Sequence, residues 1–210
     1  MSNAHNEHHL DRRWFLFGSG AALSALVPGR ADAQGTKPAG SVENVTGDAF
    51  AEARAGRRAL QPAAPVFIAD QVRTGSGARL SMQLGRDTKL RLGEDTRITI
   101  DRFLVDAGGE ITLKSGPVLF ERPTGSAPEP VRIRSAFGLI AVRGTVFFAG
   151  PSRGVFGVFV ERGSVAVSAA GKQVILNEGE GTDIARPGAP PSDPSNWGAP
   201  RIYDAMLSVS

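Results

Sequence analysis

Along the middle of the chain, apolar and polar residues alternate with a period of two. Leu80, Met82 and Leu84 are separated by Ser81 and Gln83, Leu90 and Leu92 by Arg91, and Ile98 and Ile100 by Thr99. That period puts one face of a strand in a core and the other in water. Gly75-Ser76-Gly77, Gly85-Arg86-Asp87, Gly93-Glu94-Asp95 and Asp106-Ala107-Gly108-Gly109 fall between the apolar runs and supply turn chemistry. From Arg132 to Phe148 (RIRSAFGLIAVRGTVFF) the alternation gives way to apolar runs broken by Gly138 and Gly144. Runs this short and rich in β-branched and aromatic residues predict buried strands with a tight turn or close backbone approach. Arg143 stands inside the most apolar part, so its guanidinium needs a carboxylate or carbonyl partner. Glu161 and Asp70 are the partners to expect first.

A local pattern also recurs: an apolar residue, two polar ones, a glycine, then alternating apolar residues. It spans Leu113 to Phe120, returns from Val160 to Val167, and persists in worn form from Leu176 to Glu180. Short strands at close turn spacing predict an all-β sandwich, barrel or solenoid. The expected form is a twisted β-helix or solenoid-like roll of short antiparallel strands and hairpins. The Ala/Arg-rich piece Ala49–Leu60 predicts a helical turn ahead of it. Pro187 to Pro200 reads as extended or disordered, with Trp197 conspicuous inside it. Arg201 to Ser210 carries Ile202, Tyr203, Met206 and Leu207, a short amphipathic tail expected to pack back or to meet a partner.

Composition narrows the class. Gly 26 and Pro 14 against Cys 0 describe a turn-rich domain without disulfides or a lipid-attachment cysteine. The formal charge of +3 is mild and its bases are dispersed, which excludes a nucleic-acid reading. At the N-terminus, Arg12-Arg13 precede an apolar stretch to about Val27, and Ala31-Asp32-Ala33 supplies an A-x-A cleavage site. This is the layout of an export signal of the twin-arginine type. The apolar segment is short for a bilayer span, which needs roughly 20 residues. The expected organisation is a signal at 1–33, a flexible lead-in at 34–41, the β domain at 42–185, and a Pro-rich linker with a short tail at 186–210. The expected location is the periplasm.

His5, His8 and His9 would leave with the signal, so the mature chain has neither His nor Cys. That removes His-assisted nucleophiles and His- or Cys-ligated metals. Gly163–Gly179 resembles half of a cupin motif, but a metal cupin needs histidines. Glu94-Asp95 and Glu178/Glu180 read as solvated hairpin tips, and the dense D-x-D-x-D-G spacing of a Ca²⁺ loop is missing. No catalytic residue, cofactor or metal ligand is assigned, and the chain is expected to be non-enzymatic.

Ala141-Val142-Arg143-Gly144-Thr145-Val146-Phe147 resembles the V-R-G-T-x-F signature of FecR-domain proteins. Asp70 to Gly77 resembles that family's G-D-x-I-x-T-G opening, with Ala69 in place of the glycine, and Leu84 to Leu90 resembles its L-x-D-G-S-x-L hairpin. Val160 to Val167 is similar to V-x-E-G-x-V-x-V, and Leu176 to Glu180 to L-x-x-G-Q. The resemblance spans roughly 66–182 and marks Asp70, Thr74, Gly75, Arg143, Gly144, Thr145, Phe147, Glu161, Gly163 and Gly179 as motif residues, expected to be structural. It implies periplasmic signalling in iron or siderophore uptake. Relatives place this domain after a cytoplasmic anti-sigma segment and a transmembrane helix. Neither is legible in these 210 residues, so the expectation is a stand-alone interaction or signalling module. Its partners would be envelope proteins such as a membrane regulator or an outer-membrane receptor, and self-association is open. The alternative is a periplasmic binding protein for a cell-wall glycan or small ligand.

Overall fold

The computed structural model describes residues 38–103, 108–123, 125, 130–142 and 144–210. Arg12, Arg13, Ala31 and Ala33 of the expected export signal lie outside the described residues, as does Arg143. The chain forms β1 (Gly40–Thr46), β2 (Ala49–Ala53), β3 (Gly56–Ala59), β4 (Pro65–Val66), β5 (Gln71–Thr74) and β6 (Arg79–Leu84). It continues with β7 (Thr88–Leu92), β8 (Arg97–Phe103), β9 (Gly109–Ser115), β10 (Val118–Glu121), β11 (Val131–Ser135) and β12 (Gly138–Val142). Last come β13 (Val146–Ser152), β14 (Val155–Arg162), β15 (Ser164–Ala169), β16 (Lys172–Asn177), β17 (Glu180–Ile184), β18 (Ser195–Asn196) and the helix α1 (Ala199–Leu207).

The strands make two open sheets of nine. The first runs β18-β17-β14-β13-β10-β7-β6-β1-β4 and the second β16-β15-β12-β11-β9-β8-β5-β2-β3. From β5 onward, chain order is kept along both sheets, because hairpins are laid down on alternate sheets. Thus β6–β7 joins the first, β8–β9 the second, β13–β14 the first and β15–β16 the second. Among the described residues all pairings are antiparallel except β9 with β11. Between those two the chain crosses to the first sheet as β10 and returns in the original direction.

Each hairpin contributes alternate residues to one continuous core. Leu80, Met82 and Leu84 of β6 and Leu90 and Leu92 of β7 meet Ile98 and Ile100 of β8 and Ile111 and Leu113 of β9. The period-two reading therefore holds in detail, and each such side chain contributes about 1.5–3 kcal/mol of burial. The all-β class is observed. The helical turn predicted for Ala49–Leu60 is not: that stretch is the hairpin β2–β3, with β2 also paired to β5. Ala49 and Ala51 are buried there, and burial on a sheet overrides the local helix preference of Ala and Arg.

The first sheet is covered on its outer face as well. Leu119, Val146, Phe148 and Phe159 form a second cluster with Trp197, Ala205 and Val209 from the C-terminal segment. This explains the unbroken run Val146-Phe147-Phe148: Phe147 faces the inner core beside Phe120, ring centroids 5.3 Å apart, while Phe148 faces outward to Trp197 at 6.3 Å. Successive strand residues point to opposite faces, and here both faces are apolar.

Candidate functional site

The motif residues sort into two structural knots. In the first, Asp70 is buried and accepts hydrogen bonds from the Phe67 backbone N–H at 2.7 Å and from Arg58, with which it forms an ion pair. Arg58 also donates to the Pro65 carbonyl at 2.8 Å. The partner of Asp70 among the described residues is thus Arg58 on β3. Thr74 is buried and its hydroxyl donates to the Gly93 carbonyl while accepting from the Thr96 N–H at 2.9 Å. Gly75 ties three turns, donating to the Asp48 carbonyl at 2.8 Å and accepting from the N–H groups of Ala78 and Asp95, each at 3.2 Å.

The second knot joins motifs distant in sequence. Gly144 and Gly163 both have positive φ, +62° and +88°, which glycine adopts without steric cost. A Cβ on Gly163 would lie 2.8 Å from Thr145 Cγ2 and 3.0 Å from the Gly144 carbonyl oxygen. Gly163 is therefore required both by its φ and by the close approach of the Gly144-Thr145 backbone to the β14–β15 turn. Thr145 is fully buried, and its carbonyl accepts from the Arg122 N–H at 2.9 Å. Gly179, at φ +82°, donates to the Val160 carbonyl at 2.9 Å and accepts from the Trp197 N–H at 3.2 Å. Glu161 is exposed, on the outer face of the first sheet, and lines a groove of about 430 Å³ with Arg91, Glu121, Arg162 and Glu178. Arg91 and Glu121 pair there at 2.9 Å. Burial pulls the Arg122 guanidinium below its ordinary value, a shift that nearby Asp87 partly offsets.

The C-terminal segment is anchored by residues that the motifs do not include. Trp197 stacks on Phe159 at 5.2 Å and lies against Gly157 and Gly181, where any Cβ would collide with its ring. Phe159 pairs with Gly181 across β14 and β17, so the glycine leaves the space that the indole occupies. Arg201 stacks over the Trp197 ring at 3.6 Å, donates to Ser152 Oγ at 3.0 Å, and grips both oxygens of Asp183. The available sequence signal was a glycine inside each of two strand patterns, which marks close approach of another group.

Two further surface features are open to ligands or partners. One is the edge of the second sheet at β16. The β15–β16 hairpin turns through Ala170 and Gly171, both at positive φ, with Ala169 opposite Lys172. This two-residue turn points the backbone groups of Gln173, Ile175 and Asn177 away from β15. The Asn177 N–H donates to Glu180 Oε2 at 2.7 Å; those of Gln173 and Ile175 have no partner among the described residues, and the Ile175 side chain is 58% exposed. The other feature is a cleft of about 450 Å³ where the two sheets open at one end. Among the described residues no group of three or more His, Cys, Asp or Glu could hold a metal, and no helix is long and apolar enough to cross a membrane.

No curated protein matches the sequence. Two crystal structures of a candidate anti-sigma factor from Parabacteroides distasonis ATCC 8503 share the fold, each with a TM-score of 0.55 at 16% identity. The match covers 65% of this chain and 64% or 63% of those chains, so it spans just under two-thirds of their length. Residues 70–166, which include the motif residues of both knots apart from Gly179, match the family model described as FecR protein.

Proposed function

We propose that the chain is an exported, non-enzymatic module of a regulatory system, working by protein contact in the periplasm. The FecR domain and the likeness to a candidate anti-sigma factor support a regulatory role. Its partners are envelope proteins, a membrane regulator or an outer-membrane receptor, and the link to iron uptake comes with the family. The two sheets laid down by alternating hairpins are the framework on which the contact surface is mounted.

The observation that carries this reading is the β16 edge. The other three edges are blunt: β4 is two residues and contains Pro65, β18 is two residues, and β3 is four residues carrying Arg57 and Arg58. Short strands, proline and charge are the usual means of protecting an edge. β16 has six residues and presents Ile175, so it can accept an added strand from a partner. The test is in-cell crosslinking of the full chain and of Gln173→Pro. The Gln173 N–H faces away from β15, so proline there removes an outward donor without breaking the hairpin ladder. The expected result is an envelope protein captured by the parent and lost from a Gln173→Pro variant that keeps its melting temperature. Equal capture by both would reject the edge, and capture of glycan alone would favour the glycan-binding alternative.

A further inference from the structure

We propose that the cleft at the open end of the two sheets binds a small amphipathic anion: an aromatic or branched apolar body bearing one carboxylate, sulfonate or phosphate group. Four chain segments converge there, from the end of β9, the β11–β12 turn, the β13–β14 turn and the end of β17. Its volume, about 450 Å³, falls in the range of small-molecule sites, which are mostly apolar with a few placed polar groups. Phe137 and Phe156 form one wall, stacked at 4.5 Å with their planes within 8°. The turn that carries Phe137 is held by the Phe137 N–H, which donates to Ser135 Oγ at 3.1 Å. Phe137 is only half-buried although it packs on the main core, so this pair offers an aromatic surface that the fold itself leaves uncovered.

The charge of the rim selects the ligand. Lys114 and Arg186 line the cleft, and among the described residues no Asp or Glu does. Both side chains lack a hydrogen bond or ion pair among the described residues. Several cations elsewhere on the surface are paired, such as Arg73 with Glu52, Lys89 with Glu43, Arg134 with Glu110 and Lys172 with Asp193; others are not, so what marks Lys114 and Arg186 is their place together at the rim of an apolar cleft. Two unmatched cations beside an apolar aromatic wall complement a molecule with an anionic head and an apolar body, since charge-assisted hydrogen bonds to an anion are the stronger kind. This site is independent of the β16 edge, so its failure would leave the proposed function untouched.

The probe is 1-anilinonaphthalene-8-sulfonate, titrated by fluorescence into the full chain, with uncharged N-phenyl-1-naphthylamine as its neutral counterpart. One saturable site for the sulfonate is expected. The Lys114→Glu/Arg186→Glu variant should bind the sulfonate about tenfold or more weakly, equivalent to about 1.4 kcal/mol, with the neutral probe unchanged. Phe137→Ala should weaken both probes. Thermal unfolding checks that each variant is folded, and Lys114→Gln/Arg186→Gln serves if charge reversal disturbs the fold. No saturable sulfonate binding, or affinity unchanged in the charge variants, would overturn the proposal.

Discussion

Ala69 sits at φ +69°, directly before the buried Asp70 whose carboxylate organises the β4–β5 link. A left-handed conformation costs a residue with a Cβ roughly 1–2 kcal/mol, and glycine avoids it. Ala69→Gly should therefore raise stability by about 0.5–1 kcal/mol after the larger chain entropy of glycine is subtracted, measured by urea denaturation. A lower midpoint would mean that Ala69 makes a packing contribution larger than its strain. Gly163→Ala should move the other way. It puts a Cβ against Thr145 and the Gly144 carbonyl at a φ of +88°, and strain of this kind costs about 1–3 kcal/mol. A substitution cost near zero would show that the β13 approach can relax.

At the scale of elements, the C-terminal segment behaves as part of the fold rather than as an appendage. Pro200 at the start of α1 suits the first helical turn, where its missing N–H is not needed. Arg201, one residue on, clamps the segment to Ser152 and Asp183. Trp197→Ala should cost about 3–5 kcal/mol, because it empties the space over Gly157 and Gly181 and uncovers Phe148 and Phe159. Chemical denaturation followed by far-UV circular dichroism reads that loss. A cost below about 1 kcal/mol would mean that the segment is only loosely held. The loop before β18 is fastened separately: hydrogen bonding and charge attraction from Lys172 hold the Asp193 carboxyl below its ordinary value. With its carboxyl held low, that exposed pair is intact above the usual carboxylate range and is lost as the pH falls through the lowered value.

The whole molecule is built from both local hairpins and distant pairings. β1 pairs with β6 across the intervening β2–β5, and β9 lies parallel to β11. Non-local strand pairing slows folding, so refolding monitored by stopped-flow fluorescence should take about milliseconds to seconds rather than microseconds. A microsecond phase carrying the full amplitude would contradict that topology. The strands from β6 to β9 were legible because their side chains alternate in burial, and period two is a local property of the chain. The hairpin at Ala49–Ala59 was not, since alanine and arginine favour helix until a neighbouring strand is present to pair with. Within the candidate sites, Ile175 sits in the apolar run Val174-Ile175-Leu176, and its place on a free edge depended on the order of strands in the sheet.

By itself, the sequence determined the all-β class, the turns, and the motif residues whose glycines and buried polar groups serve backbone geometry. These follow from rules acting over two to four residues. Tertiary structure alone decided that Asp70 pairs with Arg58, that Gly163 lies against Thr145, that Trp197 covers Gly157 and Gly181, and that Phe137 meets Phe156 beside two unmatched cations. Each of these joins residues at least 12 positions apart, and contacts at that distance depend on which strands become neighbours, a choice made by burying the whole core at once.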